Sequence, residues 1–483
     1  MKTHAKHLFS AIMLVALITF NACKDDEPAP ENNAPTLQIG DDIIGRTGTA
    51  SNITITATDP DGDPLDITWT IIESPAGSAP VLNNTSATNA TFTTNIAGFY
   101  RIEIEVEDSR GASVSAILKL YIGGVLPNSI TSNTTYPDLF EEEAIPDYYA
   151  PNTIQATAGI TLGAGVVIEF GADVFFWLNG NPSFLNAEGT AEKKIILRGM
   201  DKVKGSWRGI SFTSNNVNNK LIHANILHAG SSEIGGQKAA VRIQSNVSAR
   251  AIIQNTSITQ TAGYGIFIDG NTGYIPDFSS NTISNNDAAP IRLGAGGVVS
   301  LDKNSTYANN GAQAIEVAAA GNTNVRFENG GTIPALTIPY HWYSSAELRS
   351  NVTFEAGATS LFNAGLRLWV TDEGALIADG TAANKITFSA LTQSAGSWEG
   401  IEIASPSNLN KINQGVVSYG GNLSGRGANI YMFGSGAGSQ LTLTNSTISN
   451  SQTYGLLTAA GTINLTQNGN TFSNNASGNI QQN

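Results

Sequence analysis

The chain has 483 residues, enough for two or three domains with substantial cores. Only 13% of them are Asp, Glu, Lys or Arg and 50 are Gly, against an ordinary 41% hydrophobic. An average soluble domain carries roughly 25% charged residues, so this balance favours an all-β extracellular protein over a cytosolic helical enzyme. The formal net charge of −14 argues against nucleic acid as a partner, because binding phosphate needs a basic face.

Residues 1–22 have the layout of a secretory signal peptide. Lys2 and Lys6 form a positive end, and Leu8 to Phe20 form an apolar run too short to span a bilayer comfortably. Cys23, directly behind it, is the single cysteine of the chain and has no internal disulfide partner. The stretch Thr19-Phe20-Asn21-Ala22-Cys23 resembles a bacterial lipobox, and Lys24-Asp25-Asp26-Glu27 resembles the surface-export signal of Bacteroidota lipoproteins. That resemblance implies acylation of Cys23, anchorage in outer-membrane lipid and display towards the cell exterior. Acyl chains contribute about 0.8 kcal/mol per buried CH₂, and so acidic a chain gains nothing from anionic lipid headgroups. Residues 23–35, acidic and Pro-rich, read as a solvated tether.

Residues 36–124 read as short alternating strands. Ile53 to Ala57, Leu65 to Ile71 and Tyr100 to Val106 alternate at period two, and turn clusters separate them. The pattern predicts a β-sandwich. Asp59-Pro60-Asp61-Gly62-Asp63-Pro64, Trp69, Ala97-Gly98-Phe99-Tyr100 and Val106-Glu107-Asp108 resemble the PKD and cadherin-like group of immunoglobulin-type modules. The resemblance implies a core role for Trp69 and a tyrosine corner at Tyr100. Asp59, Asp61, Asp63 and Asp108 form a candidate Ca²⁺ site, since hard cations take several oxygens from a Gly-containing loop. The competing reading is a turn capped by its own carboxylates. An EF-hand frame is absent, because position 70 is Thr70 rather than Glu.

After a junction or cap at 125–150, whose Glu141-Glu142-Glu143 reads as solvated, a long repeat occupies 151–336 and 337–483. Gly205-Ser206-Trp207-Arg208-Gly209-Ile210 returns 191 residues later as Gly396-Ser397-Trp398-Glu399-Gly400-Ile401. Asn255-Thr256-Ser257-Ile258 returns as Asn445-Ser446-Thr447-Ile448. Within each copy Asn-rich corners recur at spacings of 23 to 26, a solenoid period. The pattern resembles the right-handed parallel β-helix, with inward Ile, Val, Leu and Phe rows and Asn side chains stacked at one corner. The predicted fold class is therefore all-β: an N-terminal immunoglobulin-like sandwich followed by a right-handed parallel β-helix solenoid.

Many parallel β-helices are polysaccharide lyases or hydrolases, and a hydrolase needs opposed carboxylates. The motifs of polygalacturonases and pectate lyases are missing, and no catalytic residue stands out. The copies share Gly, Trp, Ile and Asn rather than chemistry-bearing residues, and Arg208 reverses to Glu399. His223 and His228, on a strand-like run, are expected to face opposite sides. Glu169 with Asp173, and Asp372 with Glu373, read as solvated acids. Trp177 and Trp369, like Trp207 and Trp398, recur between copies, which favours packing roles. Tyr340, Trp342 and Tyr343 form a candidate ligand-binding cluster, although Tyr148 and Tyr149 resemble it at the start of the first copy. The expected function is non-catalytic binding or adhesion at the cell surface, with a polysaccharide or an extracellular protein as partner. A β-helix lyase or hydrolase, and a structural stalk, are the alternatives.

Overall fold

The computed structural model describes residues 30–244, 248–321, 323–371, 373–423, 425–434 and 438–483. Cys23, the Lys24 to Glu27 segment and Asp372 lie outside the described residues. Eight strands build the N-terminal sandwich: β1 (Thr36–Ile39), β2 (Ile43–Arg46), β3 (Ser51–Thr58), β4 (Leu65–Glu73), β5 (Val81–Asn83), β6 (Asn89–Thr93), β7 (Gly98–Asp108) and β8 (Ser113–Val125). One sheet runs β1-β3-β6-β5. The other runs β4-β7-β8, with β2 joining β8 in parallel. Along β7, Ile102, Ile104 and Val106 are fully buried while Glu103, Glu105 and Glu107 point away, as period-two patterning dictates. The Trp69 indole donates to Ala87 O at 3.1 Å, and the buried Tyr100 hydroxyl donates to Ile96 O at 2.8 Å, the geometry of a tyrosine corner.

The sandwich does not end at a linker. The tail of β8 pairs in parallel with Tyr148–Ala150, so its second sheet continues as one side of the solenoid. Two glycines allow this approach. A Cβ on Gly123 would meet Pro146 O at 2.7 Å, and one on Gly124 would meet the Tyr148 ring at 2.9 Å. The junction or cap is a packed first coil, with strands Ser129–Ile130, Thr134–Tyr136 and Tyr148–Ala150, and its Glu141, Glu142 and Glu143 are exposed. Phe140 is buried edge-on against Tyr121, and Asp147 is fully buried. The Asp147 carboxylate accepts from the amides of Leu139, Phe140 and Val167 at 2.7 to 3.0 Å. Burial pushes its pKa up to about 6 against those bonds.

Beyond it, each coil except the one holding a short helix contributes three short strands, and strands in the same position of successive coils pair in parallel. Side A is one unbroken sheet of fourteen strands, from Ser129–Ile130 to Thr471–Ser473. Sides B and C follow it in every coil, but each is divided in two. In the first half side B ends at Phe278–Ser279, and in the second it resumes at Val325–Phe327. Between them α1 (Ala295–Val298), the one helix among the described residues, replaces a strand. A single apolar core cluster runs from Leu126 to Leu456.

The two copies differ in phase, because equivalent strands lie twenty-two elements apart, α1 included, one more than seven three-sided coils. Gly209–Phe212, around Trp207, lies on side A, whereas its counterpart Gly400–Ile403 lies on side B. Likewise Ile195–Gly199 lies on side C and its counterpart Ile386–Ala390 on side A. Equivalent surfaces of the two copies therefore face different sides of the rod.

The Asn corners follow the same shift. Two ladders flank the side-C strands of the first half rather than the single one expected. Asn281 accepts from Thr256 N and donates to Ile253 O; Asn286 does so with Thr261 N and Ile258 O. In the second half Asn470 and Asn475 make the corresponding bonds beside side A. Each ladder residue follows a left-handed residue, such as Ser280 at φ 56° or Asn285 at φ 57°, that turns the chain through the corner.

Candidate functional site

Outward positions on side B of the second half form a groove of about 500 Å³. The pleat sends Leu368 and Val370 into the core and leaves Arg367 and Trp369 facing outward. Trp369, Glu402 and Tyr431 stand on successive rungs. The Arg367 guanidinium lies 4.6 Å from the Trp369 ring centroid and donates to Glu402 at 2.6 Å. Arg426 donates to the other Glu402 oxygen at 2.9 Å and lies 5.2 Å from the Phe433 ring. Glu402 is nearly buried, so two guanidiniums compensate a carboxylate that would otherwise be costly there. Beside them Glu399 stands 4.0 Å from Arg367 Nε, and burial raises its pKa. The Trp369 indole N–H is turned from solvent and has no hydrogen-bond partner.

The groove wall thus offers a half-buried indole, paired donors and acceptors, and Arg367 and Arg426 balanced by Glu373 and Glu402. Such a surface suits a polyhydroxylated neutral ring better than an anion, because its cations are already engaged. Each oxygen of Glu402 accepts from one guanidinium, so the carboxylate is held in place by both arginines.

The four recurrent tryptophans divide into two kinds. Trp207 and Trp398 are fully buried, stack on Phe170 and Phe362 at 4.1 and 4.7 Å, and donate to Leu227 O and Ser418 O at 2.8 Å. Their packing role is as expected. Trp177 and Trp369 sit on outward positions, half-buried and outside the apolar core, where they pack against Phe175 and Arg367. Recurrence in the sequence could not separate the kinds, since both are held by the repeat. Strand parity was the available signal: each outward tryptophan alternates with an inward Leu.

Arg208 and Glu399 are each paired with the opposite charge on the preceding coil. Arg208 binds Asp173 at 2.6 Å, and Glu399 approaches Arg367. The hydrogen bond from Arg208 holds the Asp173 carboxyl well below the usual carboxylate range. Glu169 is buried against Arg198 at 2.9 Å rather than solvated.

Of the aromatic cluster, Tyr340 and Trp342 are fully buried, which corrects their reading as ligand-binding side chains. Tyr340 donates to Pro334 O at 2.8 Å, and Trp342 stacks on Phe362 at 5.3 Å. Tyr148 donates comparably to Pro137 O, so the two tyrosines brace equivalent coils. Tyr343 alone is exposed, at 40%, with Arg292 5.8 Å from its ring. His223 and His228 are corner residues at φ 47° and 67°, flanking a strand rather than alternating along it.

In the sandwich, Asp59, Asp63 and Asp108 come together, with ligand atoms within 4.8 Å of one another. Asp61 is turned aside onto Asn33, whose amide donates to it at 2.7 Å. Most of the remaining oxygens serve the loop itself. Asp59 caps the amides of Asp61 and Asp63, Asp108 caps those of Arg110 and Ala112, and Arg110 lies 3.1 Å from Asp63. Burial opposes ionisation of Asp108, but these bonds and one from Asn32 outweigh it and lower its pKa. Three carboxylates could share a cation here: Asp59 Oδ1 and Asp108 are engaged by the loop and Asp63 by Arg110, while Asp59 Oδ2 is buried with no hydrogen-bond partner.

A second cavity, of about 600 Å³, opens at the interruption beside α1, between Tyr274, Val299, Arg326 and Glu328. It exists because a helix stands where a strand would close the wall.

Residues 32–120 match the family model described as a bacterial Ig domain. Among solved structures, the chain is similar to the "Solution structure of the PKD domain from KIAA 1837 protein" at 15% identity. The match covers 20% of this chain and 93% of that one, with a TM-score of 0.16. No curated protein matches the chain.

Proposed function

We propose that this chain is a non-catalytic surface lipoprotein that binds neutral polysaccharide. In this reading Cys23 carries the lipid anchor in the outer membrane, residues 23–35 form the tether, and the sandwich with its fused solenoid is a stiff rod facing outward. The observation that carries the reading is the Trp369 groove: an indole flanked by Arg367, with Glu402 and Arg426 on the next rungs and no net charge to spare. Carbohydrate rings stack on such aromatic faces, and paired polar groups complement their hydroxyls.

The test is affinity electrophoresis of the unacylated Cys23→Ser chain through gels cast with neutral and acidic polysaccharides. Retardation in a neutral gel, weakened at least tenfold by Trp369→Ala with an unchanged melting temperature, is the expected result. Clearing of the gel around the band would favour the lyase or hydrolase alternative, and free migration in every gel would favour a protein partner or a stalk. For the anchor, radiolabelled palmitate should enter the wild-type protein in cells and not Cys23→Ser.

A further inference from the structure

The phase shift between the copies has a consequence for binding. Trp177 and Trp369 occupy equivalent strands, Phe175–Leu178 and Arg367–Val370, yet the first is on side A and the second on side B. Around Trp177 the components of the Trp369 groove recur in another arrangement. Phe175 lies nearly parallel to the Trp177 ring with centroids 6.1 Å apart, and Arg208 covers Phe175 at 5.7 Å while bound to Asp173. On the following rungs stand Ser211 and Arg242, the latter donating to Ser211 and paired with Asp269. An outward indole, a second aromatic ring and guanidinium–carboxylate pairs therefore share one surface.

We infer that side A of the first half carries a second site of the same ligand class, centred on Trp177, so that one molecule bridges two polysaccharide chains. The inference rests on the proposed glycan reading and adds its valency. Seven steps of the side-A ladder separate the Trp177 strand from Thr359–Phe362, the strand just before Arg367–Val370. At ~4.8 Å per step the sites are about 34 Å apart along the rod, and they face different sides of a three-sided cross-section. A stiff chain lying along one face cannot occupy both sites. The geometry thus joins separate chains, or distant stretches of one.

The test uses the full unacylated chain with hydroxyethylcellulose, xyloglucan, galactomannan and laminarin as probes. On a retarding polymer, Trp177→Ala and Trp369→Ala should each lower apparent affinity at least tenfold through lost avidity, while the double variant migrates freely. Light scattering of wild type mixed with that polymer should peak at an intermediate ratio, and neither single variant should show the peak. Trp177→Tyr, which keeps a ring, should restore it. Calorimetry of the unmutated chain with a hexasaccharide from the same polymer should give two per chain, a readout independent of any variant's folding. A stoichiometry of one, with Trp177→Ala behaving as wild type, overturns the second site and leaves the Trp369 reading intact. Free migration of wild type on all four polymers overturns both.

Discussion

Replacing Asn286 by Leu removes a side chain that is 1% exposed and carries three bonds of a corner ladder. Its Oδ1 accepts from Thr261 N at 3.1 Å, and its Nδ2 donates to Ile258 O at 3.3 Å and to Asn310 Oδ1 at 3.0 Å. Leucine keeps the volume but leaves Thr261 N–H and Ile258 C=O without partners in a dry corner. Each orphaned buried group costs roughly 1–3 kcal/mol, so the variant should lose about 2–6 kcal/mol. The neighbouring Asn285→Gly is the control. Asn285 is exposed and sits at φ 57°; its side chain donates to Ser284 Oγ, and its backbone N–H to Ala308 O survives in glycine, which reaches the same conformation at little cost. Urea denaturation followed by circular dichroism gives the stability difference. Because stacked coils need not unfold together, amide exchange at Thr261 supplies the local readout and should accelerate in Asn286→Leu alone. A loss below about 0.5 kcal/mol, or equal damage from Asn285→Gly, would refute the ladder argument.

Gly124→Val should drive a side chain into the Tyr148 ring and weaken the pairing that fuses sandwich to solenoid. Overpacking of this kind costs about 1–3 kcal/mol, and calorimetry should then resolve a separate sandwich transition with new protease cleavage between 125 and 148. The Asp59 turn is expected to cap itself without metal, so EDTA and Ca²⁺ should leave the melting temperature of the sandwich unchanged, while Asp59→Ala lowers stability by about 1 kcal/mol. A rise on adding Ca²⁺ that Asp59→Asn abolishes would reverse that view. Burial lowers the pKa of His228, so the unfolded chain takes up this proton at higher pH than the folded one. Stability should therefore fall as pH drops below about 6.5. Asp147, raised to about 6, contributes with the opposite sign between about 6 and 4. The readout is thus the difference between wild type and His228→Gln, which should narrow from pH 7 to 5.5.

Much of the architecture was legible in the residues. Alternation along Tyr100 to Val106 sets a two-faced strand whatever surrounds it, because successive side chains must point to opposite sides. The 191-residue repeat and its 23 to 26 residue period followed from recurring Gly, Trp and Asn, since each coil imposes the same steric demands on its neighbours. The candidate sites were less legible. Four aspartates looked alike until tertiary contacts took Asp61 to Asn33 and gathered the other three. The exposed look of Tyr340 and Trp342 disappeared because coils above and below close over them.

By itself the sequence determined which residues alternate, which corners turn and which segments correspond, because these depend on contacts within a coil or between adjacent ones. Which face of the rod each copy presents was decided only in three dimensions. Equivalent strands lie twenty-two elements apart, α1 counted among them, one more than seven three-sided coils, so the side-A sheet enters the second copy in a different phase. No local periodicity records that step, since the energy that selects it comes from stacking across coils. It is this stacking that leaves Trp177 and Trp369, equivalent in sequence, facing different sides.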